Sequence, residues 1–352
     1  MKKQLTREIA LGLLALSVWN CKTSDPEPTP YDTGVYIMNQ GNFSDNNGSL
    51  SYLPRVGNTV QTNIFVKANP SLTISGGVQD FTEVNGKGLL LVDNTAASLD
   101  KVEIVESGSF KTRTTLKSPD IENPRRVVQV GLNKAYISCW DVSGSFSDGS
   151  FFKDPGYIAV VDLNTGTVTK KIPAVKGVEA MVVSGTEVFA GSVGYSGDNN
   201  LAIINTETNE VKQKIAFSAS PQPVAVDADG KLWVLAGSEM IRMDIPSRSI
   251  EKRLTLPASP GAIAISRDKR TFFYSANNRT YKFTILDATA STAIPVFNRA
   301  FSALGADPQT GRLYGSVIPS YKQAGYVLRY EESGALIDSV KAEIAPSGFY
   351  FR

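Results

Sequence analysis

One pattern recurs along this chain from residue 34 onward, and no other feature limits the fold so tightly. The stretch AVVDLNTGTVTKKI, Ala159 to Ile172, is matched by AIINTETNEVKQKI, Ala202 to Ile215. With Asp162 as the marker, equivalent positions fall at Pro54, Glu106, Asp162, Asn205, Asp244, Asp287 and Tyr330, spaced 52, 56, 43, 39, 43 and 43 residues apart. A repeat of roughly 40–45 residues made of short strands points to a β-propeller with one four-stranded blade per repeat. Two stacked β-sandwiches are the alternative, but sandwiches need no regular internal repeat. The expected fold is all-β, a seven-bladed β-propeller.

Within each unit a small apolar strand A, such as Val78–Val84 or Val178–Val183, is followed by a Gly, Asn or Asp turn. Gly and Asn tolerate positive φ, which tight hairpins need. Strand B follows, as in Leu89–Asp93 and Ala135–Trp140, then the VVD-type strand C and the alternating polar strand D of the TVTKKI type. Period-two alternation with β-branched residues marks strands with one wetter face. The first unit begins at strand B, with GVYIMNQG, and the last segment, Ala345–Arg352, reads as a strand A with nothing after it. The C-terminal strand is therefore expected to complete the first blade, closing the ring and leaving no open edge.

The expected organisation is a signal segment at 1–20, a tether at 21–33 and the propeller at 34–352. Lys2, Lys3 and Arg7 precede an apolar run from Ile9 to Val18, which is secretory in pattern and too short to span a membrane. Its removal, with Lys2, Lys3, Arg7 and Glu8, takes the formal net charge from +2 to 0, so no nucleic-acid partner is implied. Cys21 follows the run and precedes the Pro-rich KTSDPEPTP. That arrangement resembles a bacterial lipoprotein signal, in which the cysteine is lipidated, and Asp25 and Glu27 resemble surface-export signals of Bacteroidetes. An ordinary secreted protein is the plainer alternative. The remaining cysteine, Cys139, has no partner for a disulfide inside the folded domain.

The chain contains no histidine. His-ligated metals, His-based triads and imidazole acid–base catalysis are excluded on that ground. No spacing singles out a carboxylate pair, and no catalytic residue, metal site or cofactor is expected. The Asp141–Gly149 loop offers oxygen ligands but lacks EF-hand spacing and reads as a solvated loop. Asp198-Asn199-Asn200 and Asp45-Asn46-Asn47-Gly48 read as turns.

In a propeller the B–C and D–A loops open on one face, around the mouth of the central channel. That face is expected to carry Asn39, Gln40, Asn42 and Phe43 from the first blade, then Asp93, Asn94, Arg125, Arg126, Trp140, Asp141, Glu179, Tyr195, Gln222, Asn277 and Tyr321, with all but Asp93 and Arg126 as candidate ligand contacts. The B–C loops at 141–156, 193–199 and 318–325 exceed hairpin length, and long loops on a rigid scaffold carry function. Amides and rings together suit a large, neutral, amide-rich ligand.

GVYIMNQGNFSDNNGSLSYL, Gly34 to Leu53, resembles the opening of the YncE-like propeller lipoproteins of Bacteroidetes. The likeness continues through LLLVDNTAASLDKVEIVE, NPRRVVQVGLNKAYISCWD and the terminal PSGFYF, with Gln40 standing where that family usually has Glu. The resemblance implies a lipid-anchored protein on the cell surface of the outer membrane. Some members of the family are similar to cobalamin-binding proteins that cap a TonB-dependent outer-membrane transporter. A corrinoid ligand and such a transporter are thus the partners it implies, with no catalysis. A protein-interaction platform on the envelope and a propeller enzyme of lactonase or lyase type are the rival readings.

Overall fold

Strand B of every repeat is buried along nearly all its length, and strand C along most of its own, because neighbouring sheets cover both faces. In the computed structural model, residues 30–141, 151–152, 154–290 and 294–352 are described. The expected signal segment, Cys21 and most of the tether lie outside the described residues, as do residues 142–149 of the Asp141–Gly149 loop.

Seven antiparallel sheets follow one another along the chain. Blade 1 holds strand B at Gly34–Asn39 and strand C at Ser49–Pro54. Blade 2 runs A to D as Gly77–Val84, Lys87–Asp93, Lys101–Glu106 and Thr112–Lys117. Blade 3 follows with Pro124–Gly131, Lys134–Cys139, Tyr157–Asp162 and Thr167–Pro173. Blade 4 has Val178–Ser184, Glu187–Ser192, Asn200–Asn205 and Glu210–Ala216. Blade 5 is Pro221–Val226, Leu232–Ala236, Glu239–Met243 and Ile250–Thr255. Blade 6 comprises Ala262–Ile265, Thr271–Ala276 and Arg279–Thr284. Blade 7 contributes Leu304–Ala306, Leu313–Val317, Ala324–Tyr330 and Leu336–Ile344. The fold is a seven-bladed β-propeller, as the repeat requires.

The core is not one body but a set of seams between consecutive blades. Leu89, Leu91 and Ile104 of blade 2 pack on Ala135, Ile137 and Val161 of blade 3. Phe189 and Ile203 of blade 4 meet Val234 and Ile241 of blade 5 in the same way. Each seam removes large apolar side chains from water, at about 25 cal/mol per Å² of area buried. Strand D faces solvent and alternates accordingly, with Ile172 buried beside the exposed Lys170 and Lys171.

Closure of the ring uses the chain's last strand. Pro346–Phe351 pairs with Gly34–Asn39 as strand A of blade 1, with Val35 opposite Phe351 and Ile37 opposite Phe349. Phe349 and Phe351 pack on Tyr314 of blade 7, with ring centres 5.9 and 5.2 Å away. Glu343, near the end of strand D of blade 7, accepts from Ser49 Oγ at 2.7 Å, Ser51 Oγ at 2.9 Å and Asn63 Nδ2 at 2.7 Å. Asp307 of blade 7 likewise accepts from Arg55 Nε at 2.8 Å, so the first and last blades are joined by backbone, rings and two carboxylates.

Among the described residues, two blades depart from the four-stranded expectation. Outside strand C of blade 1, Gln61 alone exchanges two 2.8 Å backbone bonds with Tyr52, and the chain then turns into a short helix, Ile64–Ala68. Ile64 and Phe65 are buried there and fill the position an outer strand would cover. In blade 6 the outer strand is likewise reduced to Phe297, bridged to Thr280. Both replacements put one or two bulky apolar residues where an alternating strand would lie.

Candidate ligand-binding face

Strand A begins and strand B ends at the same rim of the ring, so residues far apart in sequence become neighbours there. Asp93 ends strand B of blade 2, Arg125 opens strand A of blade 3, Trp140 follows its strand B, and Glu179 opens strand A of blade 4. These four side chains meet around one guanidinium. Arg125 Nη1 donates to Asp93 Oδ2 at 3.0 Å, and Arg125 Nε lies 3.8 Å from Glu179 Oε2. The guanidinium carbon stands 3.8 Å from the centre of the Trp140 ring. A cation over an indole face is drawn to the ring quadrupole, by roughly 2 kcal/mol when desolvated.

Around Trp140, the rings of Phe152, Phe151 and Tyr195 stand edge-on at 5.2, 6.0 and 6.2 Å. Trp140 is 6% exposed, whereas Tyr195 is 64% exposed. The aromatic group thus has a buried base and an open lip. Four side-chain atoms of the charged group are sealed from solvent without a hydrogen-bond partner: Asp93 Oδ1, Arg125 Nε, Trp140 Nε1 and Glu179 Oε2.

Arg126 turns toward the axis, where a central channel of about 400 Å³ is bounded by residues from all seven blades. Its Nη1 donates to Gln79 O at 2.9 Å and its Nη2 lies 3.6 Å from Glu179 Oε1. Asp80 lines the same wall and accepts from Val127 N at 2.9 Å. The opposite wall is apolar, with Ile263, Leu304 and Phe349. Burial pushes the Asp93 carboxyl up to about 6, opposed by Arg125 and reinforced by Glu179. Burial raises Asp80 as well, against the pull of Arg126. Both carboxyls are easier to protonate than a free side chain.

The structure brings Arg125, Trp140, Glu179 and Tyr195 together, with Asp141 next to Trp140 in sequence and Gln222 on the channel wall. Phe43 and Tyr321, each 54% exposed, stand on the B–C loops of blades 1 and 7, away from that group. Asn277, with φ 49°, forms the B–C turn of blade 6, and Gln40 is anchored by its backbone to Ala345 O at 2.8 Å. Three of the expected contact residues have their amides engaged by their own loops and strands, two of them buried. Asn39 is wholly buried, its amide donating to Ser51 Oγ at 3.0 Å and accepting from Glu343 N at 3.3 Å. Asn94 donates to Ser75 O at 2.5 Å and accepts from Ala96 N at 2.9 Å. Asn42 caps a single 3₁₀ turn by accepting from Asp45 N at 3.3 Å. The amides of Asn39 and Asn94 satisfy buried backbone groups that water does not reach, and that of Asn42 caps its turn at the surface.

Gln79, Asp80, Phe151 and Phe152 join the face without having been singled out in the sequence. The polar pair Gln79-Asp80 near the start of a strand A was the available signal, since strand A lines the channel.

The fold and this rim together define a β-propeller with an open channel and a charged, aromatic mouth. Residues 33–351 match the family described as "Domain of unknown function (DUF5074)", and the chain belongs to that family. Among solved structures it is similar to a quinonprotein alcohol dehydrogenase-like protein from Bacteroides thetaiotaomicron VPI-5482, with a TM-score of 0.66 and 14% identity. That likeness covers 91% of this chain and 78% of the other, and at such identity it is one of fold. No curated protein matches the sequence.

Proposed function

We propose that this protein is a surface lipoprotein of the outer membrane, anchored through Cys21, that binds a ligand at the channel mouth without transforming it. The observation that carries the reading is the Arg125–Trp140 pair, ringed by Phe151, Phe152 and Tyr195 and continuous with the channel wall at Arg126. Buried aromatic and arginine anchors dominate binding energies at such faces. Catalysis is left without an obvious base: the chain has no histidine, and Asp93 and Glu179 are both engaged by arginine. A corrinoid, passed to a TonB-dependent transporter, is the specific ligand supported by the resemblance to the YncE-like lipoproteins.

Calorimetry with cobalamin and cobinamide tests the reading on the mature protein, and submicromolar binding is expected. Truncating Trp140 or Arg125 to Ala should weaken it by roughly 1–2 kcal/mol or more. Lys170→Ala, on the exposed strand D of blade 3, should leave it unchanged. No heat and no competition would remove the corrinoid. The protein-interaction platform would then lead, favoured by the exposed Phe43, Leu72 and Leu99 on the rim loops of blades 1 and 2. Mass spectrometry of protein from the native host should show an acylated Cys21 at the N-terminus; soluble protein beginning beyond it would refute the anchor.

A further inference from the structure

The unpartnered atoms at the mouth form a matched set. Arg125 Nε and Trp140 Nε1 are donors, and Asp93 Oδ1 and Glu179 Oε2 are acceptors. All four belong to side chains in contact with, or part of, one guanidinium. A buried polar atom without a partner has given up its bonds to water for nothing, so four in one place are hard to explain by packing. Trp140 and Asp93 are 6% and 4% exposed, so solvent does not relieve them. Formal charge, in contrast, is already met. Asp93 and Glu179 face Arg125, and Glu179 also faces Arg126. A ligand carboxylate would sit against those acids and a ligand ammonium against those arginines. What the cluster lacks is a neutral group that both donates and accepts.

We propose that Asp93, Arg125, Trp140 and Glu179 form a subsite for a carboxamide, in which the ligand N–H donates to a carboxylate and its carbonyl accepts from Trp140 Nε1 or Arg125 Nε. The inference rests on the mouth being a ligand-binding face and names the chemical group that face recognises. Entry breaks no hydrogen bond, because Arg125 Nε and Glu179 Oε2 are 3.8 Å apart. Tyr195 lies beside both residues and edge-on to Trp140, and its ring is exposed enough to turn aside.

Beyond Cys21 the chain has two tryptophans, Trp140 and Trp233, and the Trp233 indole is bonded to Asp227 at 2.8 Å. The indole N–H region of a ¹⁵N–¹H spectrum of the mature protein therefore carries one reporter and one internal control. Propionamide, at concentrations on the order of 100 mM where so small a fragment binds, should shift the Trp140 signal saturably and leave Trp233 in place. Propionate and propylammonium should shift neither. Glu179→Ala should abolish the shift, while an unmoved Trp233 signal shows that the fold is kept. Trp140→Phe keeps a ring against Arg125, and there the propionamide shift of the Arg125 Nε–H signal should fall several-fold. A missing propionamide shift, or an equal one with either charged analogue, overturns the subsite. Loss of cobalamin binding alone leaves it standing, and cobalamin binding without the propionamide shift removes it while sparing the wider face.

Discussion

Deleting Pro346–Arg352 should strongly destabilise the propeller, and the size of the effect follows from what the strand covers. Phe349, Tyr350 and Phe351 are each half-buried, the first and third on Tyr314 and the second stacked 6.0 Å from Tyr36. A fully buried aromatic is worth about 3–5 kcal/mol when truncated, so three half-buried ones amount to about 6 kcal/mol. The deletion also exposes an edge on Gly34–Asn39, whose residues are all buried, and removes the 3.1 Å Arg352–Glu83 ion pair. Glu83 would then be left as a largely buried acid without its cation. Natural domains hold only about 5–15 kcal/mol in total. At roughly 2 °C per kcal/mol the thermal midpoint should fall by more than about 10 °C, with aggregation through the bare edge. Circular dichroism melting and size-exclusion chromatography read both effects, and a synthetic 345–352 peptide should restore part of the loss. A monomer melting within about 2 °C of the parent would refute the closure argument.

Asp227→Ala should destabilise by about 3–5 kcal/mol in urea unfolding, because the carboxylate takes Trp233 Nε1 and Arg242 Nε, each at 2.8 Å. Burial would raise that carboxyl, but Arg242, the Lys231 N–H and Trp233 outweigh it and hold it below its ordinary value; its stabilising contribution is thus present above about pH 4 and lost as pH falls further. Asp93 runs the opposite way: with its folded carboxyl pushed up to about 6, the native state takes up a proton before the unfolded chain does, so its contribution grows as pH drops from about 6 to 4. Asp100, pushed up to about 7 by burial, acts in the same sense, so urea midpoints at pH 4.5 and 7 should show a smaller gain in Asp93→Asn than in the parent. Gly191→Ala should cost about 3 kcal/mol or more, since a Cβ there would stand 2.0 Å from the Pro221 carbonyl and 2.5 Å from Pro223 Cδ; an unchanged midpoint would mean the blade 4–5 seam yields.

The ring was legible because blade formation is local and repeats. Strand B and strand C show as short apolar runs, and a hairpin turn after each strand A sets the period. The unpaired strand B at Gly34 and the unpaired strand A at the C-terminus identified the seam, since each lacks what the other supplies. The outer strands of blades 1 and 6 were not legible, because Phe65 and Phe297 fill space that only the neighbouring blade defines. At the mouth, membership was legible and direction was not. Asn39 and Trp140 both end a strand B, yet Asn39 turns in toward Ser51 and Trp140 lies under Arg125. Which way such a side chain points is set by its partner across the blade, Ser51 for Asn39 and Arg125 for Trp140, and no local sequence pattern announces those pairings. The pairing of Glu343 with Ser49 and Ser51 is the extreme case, spanning nearly the whole chain.

The meeting of Arg352 N with Gly34 O, at 2.9 Å, means that the circle of blades has no intrinsic beginning. Joining those two residues by a short linker and cutting any A–B hairpin instead would give a circular permutant with the same seams. Each permutant would leave the propeller from a different blade, on the side opposite the mouth. The Arg125–Trp140 group would then be carried at a new bearing relative to its point of attachment. A set of such permutants is a compass for asking which way this face must look in order to work.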